Sequence, residues 1–162
     1  ATNGKTVSEP HITRDFTATT FVVRNDATLL LWHKKIEAWF PPGGHIDADE
    51  LPDEAALREV AEESGLEVAL ITTGPLAGPL GHVRRLHSPA CILLEDIEPG
   101  HQHIDLIYFA CPIDDRPPRL NEREVGEHRW CSWEDLAADD IAEDIRILGR
   151  QAIEAARGTQ DR

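Results

Sequence analysis

Three glutamates, Glu59, Glu62 and Glu63, fall within five positions of one another in the stretch REVAEESGL. Like charges held this close cost free energy unless a cation neutralises them. Oxygen-only donors suit hard divalent ions such as Mg2+ or Mn2+, which also bind phosphate oxygens. Several carboxylates at one place suit more than one ion, with coordination positions left for a substrate and a water molecule.

The element that must carry them is a helix. From Pro52 to Ser64 the apolar residues recur with a helical period, Pro52 suits the first turn, and Gly65 is placed as the stop. At about 100° per residue, positions 59, 62 and 63 span an arc of roughly 100°. Leu57, Val60, Ala61 and Ser64 fall on the other side and form the expected buried face. Leu51 stands where an N-capping side chain is usual, which costs the helix up to about 1 kcal/mol. Ahead of the helix, Gly43-Gly44 allow a tight bend whose carbonyl oxygens could join the site; Glu50 lies on the connecting loop and Arg58 stands beside Glu59.

Taken together, Gly44, Glu50, Arg58, Glu59, Val60, Glu62, Glu63, Gly65 and Leu66 fill every defined position of Gx5Ex7REUxEExGU, where U is a bulky aliphatic residue. The stretch resembles the Nudix box of the MutT-like hydrolases. The preceding WFPPGGH and the flanking strands fit the same pattern, extending the resemblance from about residue 16 to 157. It implies an α/β fold of the α+β type, an α/β/α sandwich around a central mixed β-sheet. It also implies Mg2+-dependent hydrolysis (Mn2+ can substitute) of a nucleoside diphosphate linked to another moiety, by attack of a metal-activated water on phosphorus. By the same resemblance Glu59, Glu62, Glu63 and the Gly44 carbonyl are metal ligands, and Glu59 is one candidate for the water-activating base. Arg58 pairs with a box glutamate and orients it, Glu50 supports the loop, and Gly65 and Leu66 are structural. Members often draw one more acid from a loop before a Trp-containing strand; Glu124 in EVGEHRW fits that placement, with Glu122 and Glu127 as competitors. A Nudix-fold module that binds a nucleotide without cleaving it is the alternative, although such modules usually lose box carboxylates.

Outside the box, HQHID sets His101, His103 and Asp105 on one face of a strand, as substrate contacts, a metal-binding row or a partly exposed strand face. A structural zinc site built from them needs a further ligand that the sequence does not identify. Tyr108 could stack on a base, Arg84 could meet phosphate, and Trp39 and Phe40 are better placed to support the loop. No residue specifies a base.

The rest of the chain bounds these readings. Its 162 residues, 41% hydrophobic and 28% charged, suit one globular domain. We expect an arm over residues 1–15, the domain over 16–158 and a tail over 159–162. Strands are expected at 16–23, 28–33, near Trp39-Phe40, and at 66–73, 91–97, 103–111 and 128–133. A short helix capped by Ser132 and a last helix over 141–157, ended by Gly158, complete the pattern. The formal charge of −14 opposes a nucleic-acid polymer as partner and leaves a small-molecule nucleotide bridged by divalent ions. No apolar run reaches the length of a membrane span and no signal-peptide core is present, so the expected location is cytoplasmic, as monomer or homodimer. Cys91, Cys111 and Cys131 are isolated, which speaks against a disulfide framework or a structural zinc site.

Overall fold

The computed structural model describes residues 10–72 and 80–160. Residues 1–9 of the expected arm, the proline-rich stretch 73–79 and the last two residues lie outside them. Among the described residues eight strands and two α-helices follow in the order β1 (Thr13–Arg24), β2 (Ala27–His33), β3 (Ala38–Phe40), β4 (Gly43–His45), α1 (Pro52–Ser64), β5 (Val68–Leu70), β6 (Cys91–Glu98), β7 (His101–Pro112), β8 (Val125–Ser132) and α2 (Glu143–Gln160).

β1 and β7 are the spine. They run parallel from Thr13 opposite His101 to Val22 opposite Ala110, and all the other strands join them antiparallel or through β2. β1 turns into β2 through Asn25 and Asp26, both at positive φ (51° and 58°), the geometry of a two-residue type I′ hairpin. β4, β5 and β6 pair with β1, β7 and β7, while β3 and β8 flank β2.

Alternation along the spine sends successive side chains to opposite faces, and each face receives one helix. Ala18 on β1 and Tyr108 on β7 pack with Ala55 and Ala56 of α1. Phe21, Val23, Ile107 and Phe109 pack with Ile145, Leu148, Ala152 and Ile153 of α2. β2 is apolar without alternation because both its sides are covered: Leu29 and Leu31 join Val60 and Leu66, whereas Leu30 joins the α2 cluster. The result is the expected α/β/α sandwich with a mixed sheet.

Several boundaries shift for identifiable reasons. β1 starts at Thr13 because Thr13, Arg14 and Asp15 find partners at His101, Gln102 and His103. Of the strand expected over 66–73, Val68–Leu70 pairs in register with β7 and Ile71 N adds one further bond to the Phe109 carbonyl at 2.7 Å; residue 73 lies outside the described residues. α2 runs through Gly158 to Gln160, with Thr159 Oγ1 donating to the Ala156 carbonyl at 2.7 Å. The expected short helix is a single 3₁₀ turn over Asp135–Ala137 whose N-cap is Glu134, not Ser132; Ser132 braces it from two residues further back, with Asp135 N donating to Ser132 Oγ while Ser132 N donates to the Asp135 carboxylate.

α1 is bounded as its sequence requires. Leu51 offers no side-chain acceptor, so only the reciprocal half of a capping box forms, with Leu51 N donating to Glu54 Oε2 at 3.4 Å. Gly65 ends the helix in the left-handed region at φ 68°, where an added Cβ would lie 3.0 Å from Arg119 Cβ and its carbonyl oxygen. Gly65→Ala should therefore destabilise the fold by about 1–2 kcal/mol, read as a lower midpoint in urea.

Candidate functional site

Burial divides the three clustered glutamates. The inward stripe of α1 is Ala55, Ala56, Val60, Glu63 and Ser64, while Leu57 and Ala61, expected on the buried face, are exposed. The register is set by the small residues against β1 and β7, which brings Glu63 and Glu59 inward and leaves Glu62 out. Glu63 is 5% exposed, and the Glu62 side chain is 57% exposed.

Arg58 organises what surrounds them. Its Nε and Nη2 meet Glu50 Oε1 and Oε2 at 2.7 and 3.0 Å, a two-pronged pair. Nη1 donates to Glu59 Oε1 at 2.7 Å and to Glu62 Oε2 at 3.1 Å, and Nη2 also donates to the His45 carbonyl at 2.9 Å. The guanidinium thus ties the connecting loop, the strand before it and two box carboxylates into one unit. Its hydrogen bonds hold the Glu50 carboxyl below its usual range. Arg58→Lys keeps the charge but cannot span these partners. The expected result is a 10–100-fold loss in kcat/KM, about the range for residues that orient ligands, with a smaller change in thermal midpoint.

Gly43 and Gly44 do not make the expected tight bend. They lie in β4, paired with Thr19 and Ala18 of β1, and their lack of a side chain serves close approach. A Cβ on Gly43 would lie 2.6 Å from Thr19 Oγ1, and one on Gly44 would lie 2.4 Å from Glu59 Oε1. Gly43 N donates to Glu63 Oε1 at 3.0 Å, so β4 is coupled directly to both inward glutamates.

Glu124 reaches this place through a tether on each side. Arg119 N and Asn121 N donate to the Ser64 and Glu63 carbonyls, closing the end of α1. Glu124 N then donates to the Asn121 carbonyl, and the Glu124 carbonyl accepts from Lys34 N at the end of β2. The exposed Glu124 raises the proton affinity of both Glu59 and Glu63 by charge repulsion. Burial is the largest cause in each case; Glu63 is pushed up to about 8, while for Glu59 the Arg58 contact opposes the rise.

The donor chemistry fits a hard divalent ion. Glu59, Glu63 and Glu124 repel one another in a partly desolvated setting next to Gly44, and all their donors are oxygen. Their ligand atoms are not drawn together to coordination spacing. Among the described residues only Asp15, His45 and His103 bring three such atoms within 4.8 Å of one another.

The four residues considered for substrate contact are parted. His103 and Asp105 share the α2 side of β7, where Asp105 is 4% exposed and accepts from Thr17 Oγ1 at 2.9 Å and Thr19 Oγ1 at 2.8 Å. Burial raises the Asp105 carboxyl despite those bonds, and lowers His103, with repulsion from His45 and His101 adding to it. Tyr108 points to the opposite face, 2% exposed in the α1 core, with its hydroxyl pushed up to about 12 by burial and by Asp53. Arg84 is exposed on the segment leading into β6, and among the described residues no hydrogen bond or ion pair joins it to the glutamates. Trp39 is buried, donates from Nε1 to Asp140 Oδ2 at 3.2 Å and stacks under Arg129 at 4.3 Å. Sequence reasoning missed Asp15 and His45, which join His101 and His103; the strand pairing that unites them spans the length of the chain.

Comparison with known proteins agrees with this architecture. The family model for the NUDIX domain matches residues 14–151. The crystal structure of a NUDIX-family hydrolase from Clostridium perfringens is 35% identical, covers 90% of this chain and 99% of that one, and superposes with a TM-score of 0.80. A C. elegans Ap4A hydrolase complex, 19% identical over 91% of this chain and 98% of that one with a TM-score of 0.63, shares the fold. An RNA pyrophosphohydrolase from Pseudomonas putida is 46% identical over 48 residues, 28% of this chain. That match spans 30% of the relative's length.

Proposed function

The chain belongs to the NUDIX family of hydrolases, and from that premise we propose that it is a divalent-cation-dependent pyrophosphohydrolase acting on a nucleoside diphosphate linked to a further group. The observation that carries the reading is the placement of Glu59 against Gly44 and Glu63 against Gly43, both within the repulsive field of Glu124, with Arg58 holding Glu50, Glu59 and Glu62 in one network. So many carboxylates in a half-buried place are unfavourable for the fold alone and favourable for holding Mg2+ or Mn2+.

When bound, such an ion supplies charge neutralisation for the phosphate oxygens and a more acidic water. The chain's own contributions are separable. Glu59, Glu63, Glu124 and the Gly44 carbonyl are the proposed ligands, and Glu62 is the outward ligand that completes the set from the solvent side. Arg58 fixes the Glu59 carboxylate through one strong hydrogen bond to Oε1. Glu59 and Glu124 are the proposed bases for the attacking water. Burial near Glu63 lowers the local dielectric, which strengthens each of these interactions.

The reading of a nucleotide-binding module without catalysis has less support, because all the box carboxylates are present. The charge of −14 favours a small nucleotide over a polymer, although the matched RNA pyrophosphohydrolases make RNA bearing a 5′-polyphosphate a necessary member of any test. The experiment is a panel of nucleoside triphosphates, nucleotide sugars, dinucleoside polyphosphates, dinucleotide coenzymes and 5′-polyphosphorylated RNA, with Mg2+ or Mn2+ and with products identified. Turnover that stops with EDTA and splits one anhydride bond into two phosphate-bearing products, such as a nucleoside monophosphate with pyrophosphate or with the phosphorylated second group, is expected. Binding without product across the panel would establish the module instead. A single domain from the start of β1 at Thr13 to the end of α2 at Gln160, a cytoplasmic location and a monomer or homodimer complete the proposal; no helix among the described residues is long and apolar enough to cross a membrane.

A further inference from the structure

We propose that Asp15, His45 and His103 form a second cation site, separate from the glutamate cluster and suited to a borderline transition ion such as Zn2+. The three residues come from β1, β4 and β7. The pairing that sets Asp15 opposite His103 and Thr17 opposite both His45 and Asp105 places all three on the sheet face that carries α2. Gly44, whose missing Cβ makes room for Glu59, faces the other way.

The geometry is that of converging donors. One oxygen or nitrogen from each residue lies within 4.8 Å of the others. Asp15 Oδ2 is 3.1 Å from His45 Nε2 and 3.4 Å from His101 Nε2. Ligands bound to zinc at about 2.0–2.2 Å in a tetrahedron are roughly 3.3–3.6 Å apart, so the Asp15–His45 separation needs little adjustment and the His103 donor closes in from within 4.8 Å. The ring of His103 stands 5.0 Å from that of His45 and 5.2 Å from that of His101, centroid to centroid. His101 lies outside this trio: its Nδ1 is 2.8 Å from Thr13 Oγ1, a contact that turns its Nε2 toward Asp15 and steadies that carboxylate from the other side.

As a set of ion pairs this arrangement has little value. The Asp15 and His45 side chains are 47% and 59% exposed, and exposed pairs contribute at most about 1 kcal/mol. Two imidazoles converging with one carboxylate are far more useful as a nitrogen-rich donor set, which favours Zn2+, Ni2+ or Co2+ over Mg2+. The two clusters therefore separate metals by softness. They are also mechanically linked: the His45 carbonyl accepts from Arg58, so an ion fixing β4 to β1 and β7 braces the strand that bears Gly44.

The test is calorimetric titration of the full chain, without a histidine tag, with ZnCl2 in the presence of Mg2+, paired with Co2+ absorption spectra. One equivalent of Zn2+ should bind, and Co2+ should give the intense visible bands of a four-coordinate ion. Asp15→Asn and His103→Ala, checked for folding by circular dichroism, should each weaken Zn2+ by at least about 10-fold and remove those bands; Glu63→Gln and His82→Ala should leave both. Unchanged binding in Asp15→Asn and His103→Ala would overturn the proposal. So would binding lost in Glu63→Gln, which would place the ion in the glutamate cluster, or in His82→Ala, which would make it a surface histidine complex.

Discussion

Glu63→Gln should lower kcat by about 10²–10³-fold and, in divalent-free buffer, make the protein more stable. The two effects share one cause. Glu63 is 5% exposed and is repelled by Glu59 and Glu124, so its carboxylate is held in the fold at a cost that the metal-free protein never recovers. Glutamine keeps the shape and still accepts the hydrogen bond from Gly43 N, yet carries no charge to bury. With the folded-state carboxyl pushed up to about 8 from an ordinary 4.5, the gain near neutral pH is on the order of 2 kcal/mol. For a chain of this size that is a rise of about 4–8 °C in Tm.

The sign follows from linkage. A carboxyl whose folded pKa is raised binds more protons in the native than in the unfolded state between the two values, so its contribution to stability falls as pH rises through that window. The advantage of the variant in EDTA should thus be small at pH 5 and larger at pH 8. Added Mg2+ should reverse it, stabilising the wild type by mass action more than the variant. Scanning calorimetry at the two pH values, with and without Mg2+, measures all of this. A variant that loses stability in EDTA, or one that hydrolyses the best substrate at the wild-type rate, would sink the assignment.

How far the sequence revealed this depends on how local the determining interaction is. α1 was readable because Pro52, the helical period and Gly65 all act within a few residues, and the box spacing is carried by the same short segment. Which glutamates turn inward was not, because it is fixed by Ala55 and Ala56 packing on β1 and β7, strands separated by most of the chain. The roles of Gly43 and Gly44 escaped for a related reason. Paired glycines read as a bend, whereas the space they leave is filled by Thr19 from one direction and Glu59 from the other. Along HQHID a strand period was enough to place His101, His103 and Asp105 on one face. Their companions Asp15 and His45 could be found only through the pairing of β1 with β4 and β7. Gly158 misled in the opposite sense: a glycine near a helix end is a common stop, but here it lies within α2, outside the left-handed region, and costs the helix about 1 kcal/mol in its last turn.

The second large effect separates function from fold at two adjacent residues. Gly44→Ala places a methyl 2.4 Å from Glu59 Oε1 and 2.6 Å from its carboxyl carbon, while Gly43→Ala meets the Ala18 carbonyl at 2.9 Å and Thr19 Cα at 3.0 Å. At Gly44 the obstacle is the end of a side chain, which can swing away, but only by breaking its 2.7 Å bond to Arg58 and leaving the proposed metal position. Activity should fall by about 10²-fold, as expected when a reacting group is displaced by an ångström or so, with less than about 1 kcal/mol lost in stability. At Gly43 the methyl meets Thr19 Oγ1 at 2.6 Å and also two backbone atoms that cannot swing aside, so β4 must separate from β1; the cost should be about 2–3 kcal/mol, in the range for overpacking, with activity falling as the fold loosens. Urea midpoints and kcat for both variants make the comparison. Equal losses of stability, or a Gly44→Ala enzyme with normal kcat, would mean that Glu59 does not need the space beside Gly44 and that this glycine serves the strand alone.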